Sequence, residues 1–291
     1  MFPNFTNHLL RVNGVEINTF VGGRGPPLLL LHGYPQSHLI WHRVVDELAT
    51  RFTVVATDLR GYGASEKPVG LPDHSNYSKR EMARDQVAVM RKLGFESFNL
   101  CGHDRGARVS HRLAVDYPEA VQRLMLLDIS PTLAMYEQTT MEFARAYWWW
   151  FFLIQPTPFP ESMIAAAPET YLQKKIGWGH AGMSAFTPET YAAYLSYVSD
   201  PATMHAMCED YRAAASIDLE HDRADREAGK KIACPVYVVW GEHGVVNRCF
   251  KPIADWQRVA DDVRGRTLPC GHYVPEEVPE ELLVEMRAFF C

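Results

Sequence analysis

Short apolar runs recur in the first 130 residues and again after residue 230, each bounded by glycine, proline or polar clusters. They are Leu9–Phe20, Pro27–His32, Phe52–Asp58, Phe98–Gly102, Leu124–Ile129, Val236–Gly241 and Arg266–Leu268. Most lack alternation, the pattern of strands covered on both faces, and so predict a parallel sheet flanked by helices. Helical spacing takes over between them. Ser78 with Glu81 reads as a capping box opening a helix through Arg91, and Gly94 supplies its stop signal. From Pro131 to Gly229 the strand signals vanish. That stretch is rich in aromatic residues, methionine and alanine, broken by prolines, and Thr187-Pro188-Glu189 reads as a helix start. The pattern predicts an α/β fold: residues 1–130 and 230–291 form a mostly parallel, doubly wound sheet. Residues 131–229 form a helical cap (lid) insertion over the carboxyl ends of the strands, where open α/β sheets bind ligands.

The chain has 291 residues, 47% of them apolar, enough for one large core plus an inserted unit. A net charge of −6 argues against nucleic acid or anionic membranes as partners, so an anionic ligand has to be drawn in by local arginines. There is no apolar run of membrane-spanning length, and the N-terminal residues do not resemble a signal peptide; the expectation is a cytoplasmic protein. The six cysteines, at 101, 208, 234, 249, 270 and 291, have no CxxC spacing and read as buried free thiols. His38 and His42 have i, i+4 spacing but lack the glutamate of HExxH. They read as an ordinary helix surface, and neither metal nor cofactor is expected.

The chemistry concentrates at Gly102-His103-Asp104-Arg105-Gly106-Ala107, between a strand and a helix. Small residues at 102, 106 and 107 suit a strained corner that presents one side chain, here an aspartate. A carboxylate at a helix N-terminus is already charged and suits displacement at saturated carbon, which points to a halide or epoxide oxygen as leaving group. The plain alternatives are a helix-capping aspartate and an Asp104–Arg108 salt bridge one turn apart. Asp128 at the end of a strand and His272 after the last strand follow in the order nucleophile, acid, base; Glu242 is a lesser candidate for the acid. In His32-Gly33-Tyr34-Pro35, the Tyr34 N–H stands opposite that of Arg105 as an oxyanion donor. The guanidinium groups of Arg105 and Arg108 both reach the same small pocket, where they can clamp a carboxylate.

These residues carry a resemblance. HGYPQSHLIW (32–41), DLRGYGAS (58–65), GHDRGAR (102–108), DISPT (128–132) and AYWWWFFLIQP (146–156) resemble the fluoroacetate (haloacetate) dehalogenases of the α/β-hydrolase superfamily. The resemblance implies Asp104 as nucleophile, His272 and Asp128 as base and acid, Arg105 and Arg108 as substrate clamp, and a homodimer. It also implies a halide pocket at positions 149, 150 and 211. Trp150 and Tyr211 match, whereas Trp149 stands where the family has histidine. Losing an imidazolium there predicts weak support for fluoride and a preference for chloride or bromide. Trp178 is a further pocket-lining candidate. The expected activity is hydrolysis of a short 2-haloacid through an aspartyl ester. The alternatives are an epoxide hydrolase with Tyr147 and Tyr211 as proton donors, or a non-catalytic small-molecule binder on the same fold.

Overall fold

The structure is a computed structural model describing residues 1–291. Eight strands form one sheet: β1 Thr6–Val12, β2 Val15–Gly23, β3 Pro27–Leu31, β4 Thr53–Thr57, β5 Phe98–His103, β6 Val121–Leu127, β7 Val236–Gly241 and β8 Val263–Leu268, in the order β1-β2-β4-β3-β5-β6-β7-β8. Strands β3 to β8 pair in parallel, whereas β1–β2 and β2–β4 are antiparallel. The stretch Leu9–Phe20, expected as one strand, is thus a hairpin. Asn13 and Gly14 both have positive φ (45° and 79°) and turn the chain between Val12 and Val15, the geometry that two-residue hairpin loops require. Strand β6 starts three residues earlier than expected, at Val121, and β8 at Val263 rather than Arg266. Leu28 to Leu31 of β3, in the middle of the sheet, are wholly buried, which explains their unbroken apolar run.

The helix Lys79–Lys92 follows its expected bounds within a residue. Its cap is only half of the expected box. Ser78 Oγ accepts from the Glu81 N–H at 3.2 Å, but the Glu81 carboxylate turns to Asn13 and Arg84 instead of back to Ser78. Thr187 caps the helix Pro188–Val198 as expected. Every element between β6 and β7 is helical, from Thr132–Glu137 to Ile217–Glu227, and no helix is long and apolar enough to cross a membrane. His38 corrects its surface reading, since it is buried against Asp58, with Nδ1 2.8 Å from Oδ1. Four of the six free thiols are buried, but Cys249 is half-buried and Cys291 exposed.

The approach of the helix Arg105–Asp116 to the sheet is set by Gly106, where a Cβ would collide with the backbone carbonyls of Leu31 and His32. Neither carbonyl can yield without moving β3. Gly106→Ala should therefore cost about 1–3 kcal/mol or more in equilibrium denaturation. Gly179→Ala, with nothing near its added methyl, should stay within about 0.5 kcal/mol of the parent. Equal effects at the two sites would contradict close packing at the corner.

Candidate active site

Asp104 occupies the corner between β5 and the helix Arg105–Asp116, with φ 45° and ψ −111°, a conformation that costs energy for a residue with a Cβ. Its carboxylate makes no capping bond to that helix, and it forms no ion pair with Arg108; both plain alternatives are excluded. Instead Oδ2 accepts the Tyr34 N–H at 3.1 Å. The Arg105 N–H, at the first helical position, has no intrahelical acceptor, and of the two backbone donors considered for an oxyanion the Tyr34 N–H is the one hydrogen-bonded to the carboxylate. The Tyr34–Pro35 bond is cis. Burial works against the charge of Asp104, but His272, Arg108 and Arg105 outweigh it and hold the carboxyl at about 2.

His272 Nδ1 lies 2.5 Å from Asp128 Oδ2, and Asp128 Oδ1 accepts the Gly241 N–H at 3.0 Å. Asp128 follows β6 with φ 52°, so the acid also sits at a strained turn. Burial raises its pKa, opposed by the hydrogen bond from His272. With Nδ1 engaged in this way, Nε2 is left for substrate or water. The Tyr147 hydroxyl lies 3.4 Å from the same Nδ1. His103, next to the nucleophile, is pushed down by burial to about 3 and stays neutral; its Nε2 donates to the His272 carbonyl at 2.8 Å. Glu242, directly after the carboxyl end of β7, is exposed and makes no side-chain hydrogen bond to His272.

The two arginines are held differently. Arg105 forms a two-pronged pair with Asp210 (Nε to Oδ2 2.9 Å, Nη2 to Oδ1 2.7 Å) and also donates to the Asp210 carbonyl. Asp210 in turn binds Lys79 and accepts from the Tyr62 hydroxyl at 2.5 Å. Burial opposes its charge, but Arg105 and Lys79 hold its pKa far below the ordinary value. This leaves Arg105 Nη1 as the guanidinium nitrogen without a partner. Arg108 meets no carboxylate. Nη1 donates to the Thr132 hydroxyl at 3.0 Å and the Ser130 carbonyl at 3.3 Å, while Nε has no partner. The guanidinium of Arg105 lies 4.1 Å from the Tyr211 ring centre, and that of Arg108 4.7 Å from the Trp150 ring centre. The Trp150 indole N–H and the Tyr211 hydroxyl are also unpartnered, and their rings are 6.3 Å apart. Four buried donors, Arg105 Nη1, Arg108 Nε, Trp150 Nε1 and Tyr211 Oη, thus lack acceptors in one neighbourhood. A region so built is costly unless acceptors such as water or an anion fill it.

Trp149 belongs to a second group of rings, with Tyr147 at 4.7 Å, Trp178 at 5.7 Å and the Lys175 ammonium 4.0 Å from its ring centre. Trp178, half-buried, has an unpartnered Nε1. Sequence reasoning missed Asp210, Lys79, Tyr62 and Lys175. Each acts through a partner far away along the chain, and no local spacing marks them. No group of three or more His, Cys, Asp or Glu side chains is disposed to hold a metal ion.

Residues 26–277 match the alpha/beta hydrolase fold family, and the chain belongs to it. Within that family it belongs with the haloacetate dehalogenases: it is 46% identical to fluoroacetate dehalogenase of Burkholderia sp over 99% of this chain and 95% of that protein. A soluble epoxide hydrolase of Corynebacterium sp. (strain C12) is 32% identical over 100% and 99% of the two chains. The crystal structure of a candidate alpha/beta hydrolase from Nostoc sp PCC 7120 superposes with a TM-score of 0.97 at 55% identity, covering 100% of this chain and 99% of that one.

The Asp210 network can be tested by removing one charge at constant volume. Asp210→Asn leaves Arg105 buried without its carboxylate and Lys79 with only Asp218, so equilibrium unfolding should show a loss of about 3–5 kcal/mol. A loss below about 1 kcal/mol, the range of exposed pairs, would contradict a role for Asp210 in holding the arginine.

Proposed function

We propose that the protein hydrolyses short 2-haloacids such as haloacetate, and that the helices between β6 and β7 act as a cap over the reaction. The observation that carries this reading is the placement of an ionised Asp104 beside unpartnered guanidinium, indole and phenol donors. Arg105 and Arg108 clamp the substrate carboxylate, offset its repulsion from Asp104, and present the neighbouring carbon for attack. Asp104 Oδ1 displaces halide, forming a carbon–oxygen bond as the carbon–halogen bond breaks and its electron pair leaves with the halide. Water then attacks the ester at the Asp104 carbonyl carbon. His272 Nε2 takes the proton, Asp128 steadies the imidazolium, and the Tyr34 and Arg105 N–H groups receive the oxyanion that forms at Oδ2. Its collapse breaks the bond from the carbonyl carbon to Oδ1, which leaves as the 2-hydroxyacid with the proton returned by His272, and the water oxygen restores the Asp104 carboxylate. Burial keeps the Tyr211 hydroxyl protonated and therefore a donor. Trp150, Tyr211 and, as the resemblance implies, Trp149 form the halide pocket.

The carboxylate clamp separates this reading from epoxide hydrolysis, which leaves two buried arginine donors unused. Of the two tyrosines required for opening an epoxide, Tyr147 is placed against the His272 imidazole. A non-catalytic binder has no use for a hydrogen-bonded His272–Asp128 pair facing a strained carboxylate. We extend the proposal to a homodimer, as the resemblance implies, and to a cytoplasmic location, in keeping with six unpaired thiols.

The test is halide release from fluoro-, chloro- and bromoacetate beside diol formation from an epoxide panel; diol without halide would overturn the reading. In the same assay Arg108→Leu should lower kcat/KM for haloacids at least about tenfold, as the loss of one charged contact implies. The loss should be much smaller on the uncharged haloacetamide. Equal losses on acid and amide would show that Arg108 does not read the carboxylate.

A further inference from the structure

Nearly every buried cation in the molecule has a carboxylate of its own. Arg60 has Asp85, Lys79 and Arg105 share Asp210, Arg112 has Asp222, and Arg212 has Glu161. Two do not. One is Arg108, assigned above to the substrate carboxylate. The other is Lys175, on the helix Pro168–Ile176, which is 1% exposed. Its ammonium donates to the Tyr273 hydroxyl at 3.0 Å and lies 4.0 Å from the Trp149 ring centre and 5.4 Å from those of Tyr34 and Tyr273. The one charged group that offsets the cost of burying it is Asp104. An ammonium with three N–H groups and one hydrogen-bonded acceptor keeps two donors in hand. An unpaired buried cation of this kind is costly unless an anion arrives to meet it.

The charges around the nucleophile show which anion that is. Asp104 is one negative charge facing two unpaired positive ones, Arg108 and Lys175, so a substrate monoanion brings the set into balance. Displacement then converts Asp104 into a neutral ester and transfers its charge to the halide. Two anions and two cations remain, with the substrate carboxylate on Arg108. In-line attack sends the leaving group away from Asp104, toward the cap that carries Lys175. We propose that Lys175 receives the departing halide, with the Trp149 ring as the platform that holds its ammonium. The inference rests on the dehalogenase reading. It also changes the expectation drawn from Trp149, because the positive charge that a histidine supplies at that position comes here from a neighbouring helix. Fluoride, the strongest hydrogen-bond acceptor and poorest leaving group among the halides, has most to gain.

The test compares leaving groups. The kcat/KM for halide release reports the step that breaks the carbon–halogen bond and is insensitive to the later hydrolysis of the ester. Lys175→Met keeps the length of the side chain and removes its charge. It should depress kcat/KM for fluoroacetate at least about tenfold more than for bromoacetate, the scale of one charge-assisted hydrogen bond. Losses equal for the two substrates, as a packing defect produces, would overturn the inference. An unmodified protein releasing no halide from either would overturn the dehalogenase reading and the inference together.

A second measurement needs no variant. Burial pulls Lys175 down to about 7, so its charge is lost as pH rises through the neutral range. Of the groups around it, Asp104 is held at about 2, His103 at about 3, and burial drives Tyr34 and Tyr273 upward. The ratio of kcat/KM for fluoroacetate to that for bromoacetate should accordingly fall with rising pH in the unmodified protein. A ratio unchanged across the neutral range would overturn the assignment.

Discussion

The site depends on keeping a carboxylate ionised where solvent is nearly absent. Asp104 is 4% exposed, and burial of that degree favours its neutral form. The surrounding positive charge prevents this, and each contributor must itself be held in place. Arg105 is fixed by Asp210, Asp210 by Lys79 and Tyr62, and His272 by Asp128. The strained backbone at Asp104 and Asp128 is carried by close packing of the Arg105–Asp116 helix on the sheet, which the small residues at the corner permit. The nucleophile is therefore charged and oriented before substrate arrives. Substrate has only to complete a set of donors already desolvated.

The two arginines next to the nucleophile illustrate how such a pocket divides its work. Arg105 has its charge matched by Asp210, so it offers direction more than net attraction. Arg108 lacks a carboxylate, and burial lowers its pKa against the pull of Asp104, so it is the cation with most to gain from an incoming anion. Lys175, on the helix Pro168–Ile176, likewise lacks a carboxylate partner. The aromatic rings around these groups exclude water and present π-faces to the cations, strengthening each electrostatic contact relative to solution.

Where local patterning and global packing agreed, the sequence was a reliable guide. Pro27–Leu31 and Val236–Gly241 appear as expected because strands covered on both faces are apolar throughout, and Ser78 and Thr187 cap their helices because that requirement is local. The Asp104 corner was legible from the small residues around it, and Asp128 and His272 from their places after strands. The Asn13-Gly14 turn was equally legible but lay inside an otherwise continuous strand-like run. The ion pairs were not legible, since Asp210 meets Arg105 across 105 positions of sequence, and Lys175 meets Tyr273 across 98. Its sequence context, one of two adjacent lysines on a short helix, gives no sign that one side chain is buried while its neighbour is exposed.

The central claim is that Asp104 becomes covalently bonded to substrate carbon. In His272→Ala the nucleophile, both arginines and Lys175 remain for the displacement step, while the base that hydrolyses the ester is missing. Incubation with chloroacetate, followed by intact-protein mass spectrometry and peptide mapping, should therefore show one carboxymethyl group per chain, located on Asp104. Given halide release by the unmodified protein, a His272→Ala protein whose Asp104 stays unmodified would contradict the account.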